Sequence, residues 1–197
     1  MSTTQPIKDL KTLKSFRDYF KYEKPNPRNY ALIITGLNSA LRISDILHLT
    51  WGDVYDFNRQ KWRTHITARE QKTGKVNRIF INEAVKKALL FYQCPVLSSE
   101  KDWIFCSKIS AQKDSAGQPL SRYQAYRIIK EAAVHAGLSS SVSCHSLRKT
   151  FGYHAWKQGT PPALLMNIYN HSSYQITKRY LCIDQDDRDA VFAKIKL

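Results

Sequence analysis

Three stretches of this sequence hold reactive side chains at suggestive spacings. The first runs from Ala40 to Asp53, A-L-R-I-S-D-I-L-H-L-T-W-G-D, and sets Arg42 among apolar neighbours. A guanidinium in or beside a core needs an anionic partner, and Asp45, one helical turn on, is the nearest. A purely structural Arg–Asp pair explains the stretch equally well. The second is His145-Ser-Leu-Arg148. A spacing of three on a helix puts imidazole and guanidinium on one face, a pairing suited to holding a phosphate while a proton moves. Two solvated basic side chains at a helix N-terminus are the plainer alternative. The third runs from Asn170 to Tyr180, N-H-S-S-Y-Q-I-T-K-R-Y, with His171 nine residues before Tyr180 and a second tyrosine, Tyr174, between them. A tyrosine near a helix end is, by itself, usually a packing residue. Lys72, in Gln71-Lys-Thr-Gly74, falls at a predicted hairpin turn, where a lysine is ordinarily solvated.

The elements that must position these groups are mainly helical. Residues 1–6 read as a flexible polar tail and 7–22 as an amphipathic helix, with Leu10, Leu13, Phe16 and Phe20 on one side and Lys11, Lys14, Arg17 and Lys21 on an adjacent one. Solvation and DNA contact explain that basic face equally. Pro25 and Pro27 break the pattern; a second helix starts near Pro27 and a shorter one carries Ile43, Ile46, Leu47 and Leu49. Alternation and β-branched residues over 53–81 predict a three-stranded antiparallel sheet, with strands near 53–57, 62–67 and 76–81. Helices follow near 83–93, 121–136, 145–158, 161–169 and 173–181, with Asn82 and Ser121 as N-caps and Gly137 and Gly159 as stops; the polar stretch 106–119 reads as a surface loop. The fold class is therefore α+β, mainly helical, with a small sheet.

Charge narrows the class of partner. The 197 residues include 31 Lys and Arg against 16 Asp and Glu, a net charge of +15. An excess of this size favours a polyanion, because each cation that meets a phosphate releases condensed counterions. A merely basic or ribosome-associated protein fits the charge too. The four cysteines, Cys94, Cys106, Cys144 and Cys182, have no metal-ligand spacing and read as reduced, mostly buried thiols. No apolar run approaches the roughly 18 residues of a membrane span, so the expected location is the cytoplasm, away from membranes.

Taken in order, Arg42, Lys72, His145, Arg148, His171 and Tyr180 resemble the catalytic set of the tyrosine recombinase (phage integrase) family. The resemblance covers about Ile7 to Asp184, through the three motifs above and H-S-L-R-K-T-F in particular. This chain departs from the family where Gly often aligns with Ala40 or Leu41, and where Leu-Gly usually precedes the second histidine but Tyr169-Asn170 stands here. The resemblance implies a tyrosine-recombinase catalytic-domain fold over 7–183, with 184–197 as a tail or helix exchanged between protomers or folded back on its own domain. It implies a site-specific recombinase that cuts and rejoins duplex DNA at specific recombination sites through a 3′-phosphotyrosine on Tyr180, with no cofactor, ATP or metal. Arg42 and Arg148 would neutralise the transition-state charge, Lys72 protonate the leaving 5′ oxygen, His145 assist proton removal, His171 bind the phosphate, and Asp45 support the site. The partners implied are a homotetramer on DNA and accessory DNA-bending proteins. A type IB topoisomerase, a catalytically silent DNA-binding module of the same fold and a basic RNA-binding protein are the alternatives.

Overall fold

Helix α2 (Pro27–Ser39) is the centre of the molecule, and its sequence shows why. Proline occupies its first turn, the Asn26 side chain accepts from the Asn29 amide at 3.1 Å, and four consecutive apolar residues, Ala31 to Ile34, are buried. A helix apolar on this many sides has to be surrounded. Helices α1 (Leu10–Tyr22), α5 (Glu83–Tyr92) and α7 (Cys144–Lys157) pack around it. Each Leu, Ile or Phe taken fully out of water there contributes roughly 1.5–3 kcal/mol. This computed structural model describes residues 4–69, 74, 76–95, 98–107, 117–138 and 141–195.

The helices fall close to where period and caps place them. Asn82 caps α5 by accepting from Val85, and Ser121 forms a reciprocal capping box with Gln124 on α6 (Arg122–His135). Helix α1 is shorter at its start than expected. Asp9 caps it through Thr12, and Phe16 and Phe20 are buried, but Leu10 is 70% exposed and lies outside the apolar stripe.

Among the described residues, the expected three-stranded sheet is four short strands in two separate ladders, and the start of the expected strand at 53–57 belongs to a short helix, α4 (Trp51–Val54), set by a capping box between Thr50 and Asp53. Strands β1 (Tyr55–Asp56) and β2 (Lys61–Trp62) pair with each other, and β3 (His65–Arg69) pairs with β4 (Val76–Phe80), all antiparallel. The expected strand at 62–67 is broken at Arg63-Thr64. There the Arg63 amide bonds the Val54 carbonyl at 2.8 Å and its side chain donates to the Gly52 carbonyl, pulling the chain out of one continuous strand. Most of the expected loop at 106–119 lies outside the described residues.

Of the expected flexible tail at 1–6, residues 1–3 lie outside the described residues, while Thr4 is half-buried, Pro6 buried and Gln5 exposed, with backbone bonds to the body of the domain. Lys149 Nζ donates to the Thr4 carbonyl at 2.6 Å and the Gln5 amide donates to the Ser141 carbonyl at 3.1 Å. Ile7, 1% exposed, donates its amide to Thr150 Oγ1. This segment runs along α7 and reaches the other end of the chain. Lys8 pairs with Asp184 at 2.5 Å and with Asp187 at 3.0 Å, on the N-cap and first turn of α10 (Gln185–Phe192). Asp187 is buried and also accepts from Tyr153 Oη and Lys157 Nζ, so α10 rests on α7 of its own chain. Burial opposes its ionisation, but the bonds from Lys157, Tyr153 and Lys8 prevail and hold its carboxyl well below the usual carboxylate range. Only Cys144 of the four thiols is buried, packed in the main core; Cys94 is exposed and Cys106 and Cys182 are half-buried, against the expectation of mostly buried thiols. Among the described residues, no helix is long and apolar enough to cross a membrane.

Candidate active site

A second, smaller apolar cluster lies beneath the chemistry-bearing residues. It gathers Ala40 from the end of α2, Leu165 and Tyr169 from α8 (Pro162–Ile168) and its cap, and Leu181 from α9 (Tyr174–Leu181). Five of the six groups singled out in the sequence lie on segments converging here. Lys72 lies outside the described residues, between the paired strand ends Arg69 and Val76.

Arg148 organises the site. It is 1% exposed, and its guanidinium donates to the carbonyls of Ala40 and of Tyr169, the latter at 2.8 Å. One side chain from the second motif thus ties down the backbone of the first and the entrance to the third. The guanidinium also lies 4.6 Å from the Tyr169 ring centroid and 5.9 Å from that of Tyr180, distances at which a cation is attracted to the ring face. Arg42, half-buried at the N-cap of α3 (Ile43–Leu47), is near enough to act electrostatically on His145, while Asp45 is buried in the first turn of the same helix.

Tyr180 sits over this arrangement. Its hydroxyl lies 3.1 Å from His145 Nδ1, and its ring centroid is 4.9 Å from the His171 ring. His171 is oriented by Thr177, whose hydroxyl is 3.0 Å from Nδ1, and by stacking on Tyr169 at 5.0 Å. Tyr174, the other tyrosine in the motif, is 48% exposed.

Burial first, then the positive charges of Arg122, Arg148, Lys149 and Arg42, lower the pKa of His145 from 6.5. A neutral imidazole that carries its proton on Nε2 leaves Nδ1 open to accept from the phenol. The linkage has a definite sign. Below pH 6.5 the unfolded chain takes up a proton that the folded His145 declines, so stability falls as pH drops through the window between 6.5 and the lower folded value. Urea unfolding at pH 7.5, 6.5 and 5.5 will show this loss, and His145→Gln will flatten it. An equal slope in the variant would remove His145 as the source.

Sequence reasoning missed Tyr169 and Gly152. Tyr169 is fully buried and touches Arg148, His171 and Tyr180 with its ring, while its hydroxyl donates to the Arg148 carbonyl at 2.7 Å. Burial raises the pKa of its phenol far above 10, so it stays a hydroxyl donor. Gly152 makes room for it: a Cβ there would stand 2.1 Å from the Tyr169 hydroxyl. Thr177, six residues after His171 in the third stretch, is a further residue of the site, since it orients the imidazole.

Residues 8–186 match the phage integrase family. The chain belongs to the phage integrase family. The chain is 40% identical over 192 residues to the probable integrase/recombinase YoeC of Bacillus subtilis strain 168, a match covering 98% of this chain and 97% of that protein. It is 30% identical over 163 residues to the type 1 fimbriae regulatory protein FimE of Escherichia coli K12, covering 81% and 76% respectively. Its fold is similar to that of XerA recombinase, with a TM-score of 0.77 at 19% identity over 100% of this chain and 66% of that one. It is also similar to XerH recombinase in a post-cleavage complex with palindromic difH substrate, with a TM-score of 0.74 at 18% identity, over 98% of this chain and 52% of that one. The chain thus spans less than two thirds of the length of either solved recombinase.

The departures from the family pattern now have a structural meaning. Ala40 has φ 54° and Asn170 φ 53°, both in the left-handed region that favours glycine. The chain keeps the backbone turn that glycine would make easy. At Ala40 it does so by fixing the carbonyl to Arg148 and burying the methyl group in the small cluster.

Proposed function

We propose that this integrase is a site-specific DNA recombinase that cleaves and rejoins duplex strands through a phosphotyrosine at Tyr180. The observation that carries the reading is the 3.1 Å approach of the Tyr180 hydroxyl to Nδ1 of a histidine held neutral at physiological pH. In this mechanism Tyr180 Oη attacks the scissile phosphorus and passes its proton toward His145. The 5′ oxygen departs with a proton from Lys72, leaving a 3′-phosphotyrosine. The bond energy is retained in that ester, so a later 5′ hydroxyl can displace the tyrosine without ATP.

Arg42 and Arg148 meet the charge on the non-bridging oxygens. A guanidinium carries five N–H donors, so holding two carbonyls is compatible with also meeting a phosphate. His171, oriented by Thr177 and Tyr169, hydrogen-bonds the phosphate, and buried Asp45 supports the Arg42 segment. The net charge of +15 supports duplex DNA as the partner. The solved recombinase–DNA complexes of like fold point the same way. The acting unit is four copies assembled on recombination sites in the cytoplasm, with accessory DNA-bending proteins as candidate partners. The reaction is of the integrating, excising or inverting type.

A nicked suicide duplex, carrying a site selected by binding from random-sequence DNA, tests this. Wild type will form a covalent protein–DNA adduct. Tyr180→Phe will bind the same duplex within about twofold and form none, whereas Tyr174→Phe will form a normal amount. Adduct from Tyr180→Phe, with Tyr174→Phe inactive, would reverse the assignment.

A further inference from the structure

Lys149, which follows Arg148 directly, takes no part in the mechanism above, yet it is 6% exposed. A lysine is almost never buried to this degree unless its charge is satisfied. Its ammonium donates to the Thr4 carbonyl at 2.6 Å and to Cys182 Sγ at 3.5 Å, and it lies 5.6 Å from the Tyr180 ring centroid. Cys182 is the left-handed C-cap of α9 (φ 50°), and its sulfur in turn lies 3.4 Å from the Arg179 carbonyl in the last turn. The ammonium therefore stands at the negative end of the helix that carries Tyr180, where a cation is stabilised, and beside the ring. Around it run Gln5 to Ser141, Ile7 to Thr150 and His154 to Ile7, which press the N-terminal segment onto α7.

We propose that Lys149 is a positioning residue for Tyr180: it fastens the C-terminal end of α9 to the N-terminal segment and so holds the phenol against His145. The inference rests on Tyr180 being the nucleophile. Without the ammonium, the end of α9 loses its link to Thr4 and the ring loses the cation beneath it, so Tyr180 spends less time within reach of His145. Misplacing a reacting group by about 1 Å can cost on the order of 100-fold in rate. DNA contacts made elsewhere are untouched.

The test uses the full chain with Lys149→Met and Lys149→Arg, read by single-turnover adduct formation on the nicked duplex at saturating protein. Lys149→Met is expected to slow adduct formation by about 10- to 100-fold with DNA affinity within twofold of wild type. It is also expected to speed amide hydrogen exchange across 174–187 but not across α2. Lys149→Arg, which keeps the charge and the donors, is expected to recover to within about threefold of wild type. If Lys149→Met does not fold, Lys149→Gln, which keeps a donor for Thr4 but not the charge, takes its place with the same expectation. Adduct formation at the wild-type rate in the uncharged variant overturns the proposal. So does an equal loss of DNA affinity, or an arginine variant as slow as methionine. A wild-type protein that forms no adduct overturns the nucleophile assignment and this inference together, whereas adduct at equal rates in wild type and variant overturns this inference alone.

Discussion

Replacing Arg148 with lysine will leave a folded protein that binds duplex DNA and forms covalent adduct at least about 10³-fold more slowly, the order seen when a comparable arginine is lost from a phosphoryl-transfer site. The reason lies in shape as much as charge. The guanidinium reaches the carbonyls of Ala40 and Tyr169 from two different segments at once. An ammonium on a flexible stem is a point charge that cannot span both and still present a planar fork to a phosphate. One carbonyl, on Ala40 or Tyr169, both buried, will lose its donor, at a cost of roughly 1–3 kcal/mol. Thermal unfolding will register that loss, while gel-shift affinity will change little. Adduct formation within tenfold of wild type would show that Arg148 is a structural clamp and no more.

Gly152→Ala will be the more damaging change to the fold, although it adds one methyl group. That methyl would meet the Tyr169 hydroxyl at 2.1 Å and the ring carbons behind it at 2.9 and 3.0 Å. A side-chain tip in open space could move away. Tyr169 cannot do so cheaply, because its ring is packed between Arg148, His171 and Tyr180 and its hydroxyl holds the Arg148 carbonyl. The expected cost is about 2–3 kcal/mol of stability, from overpacking and a lost buried hydrogen bond, with adduct formation falling at least tenfold. The double variant Gly152→Ala/Tyr169→Phe, which removes the oxygen in the way, will recover part of the stability. A double variant less stable than the sum of its parts would place the clash elsewhere.

How much of this was legible beforehand follows from the kind of signal each residue leaves. Helices α2, α5 and α6 were readable because apolar period and side-chain caps act over a few neighbouring residues, as Asn82 and Ser121 show. The site groups were readable as a set because Arg42, His145–Arg148 and His171–Tyr180 carry distinctive types at fixed spacings. The break at Arg63 was not, since it depends on a bond to the Val54 carbonyl that no local pattern reveals. Nor was the anchoring of residues 4–7, whose partners lie more than 130 positions away on or beside α7. Tyr169 looked like a departure from a family pattern and proved to be the packing centre of the site. Gly152 carried no sign at all, because a close approach is visible only once both elements are placed.

The claim on which the account turns is that Tyr180 forms the bond to DNA. Lys178 and Arg179 separate Tyr174 from Tyr180 in a tryptic digest, so mass spectrometry of the adduct trapped on a nicked duplex can name the residue directly. A nucleotide remnant, joined through its 3′ phosphate, is expected on the peptide beginning at Tyr180. A remnant on the peptide containing Tyr174, or cleaved DNA with no residue modified, would contradict it.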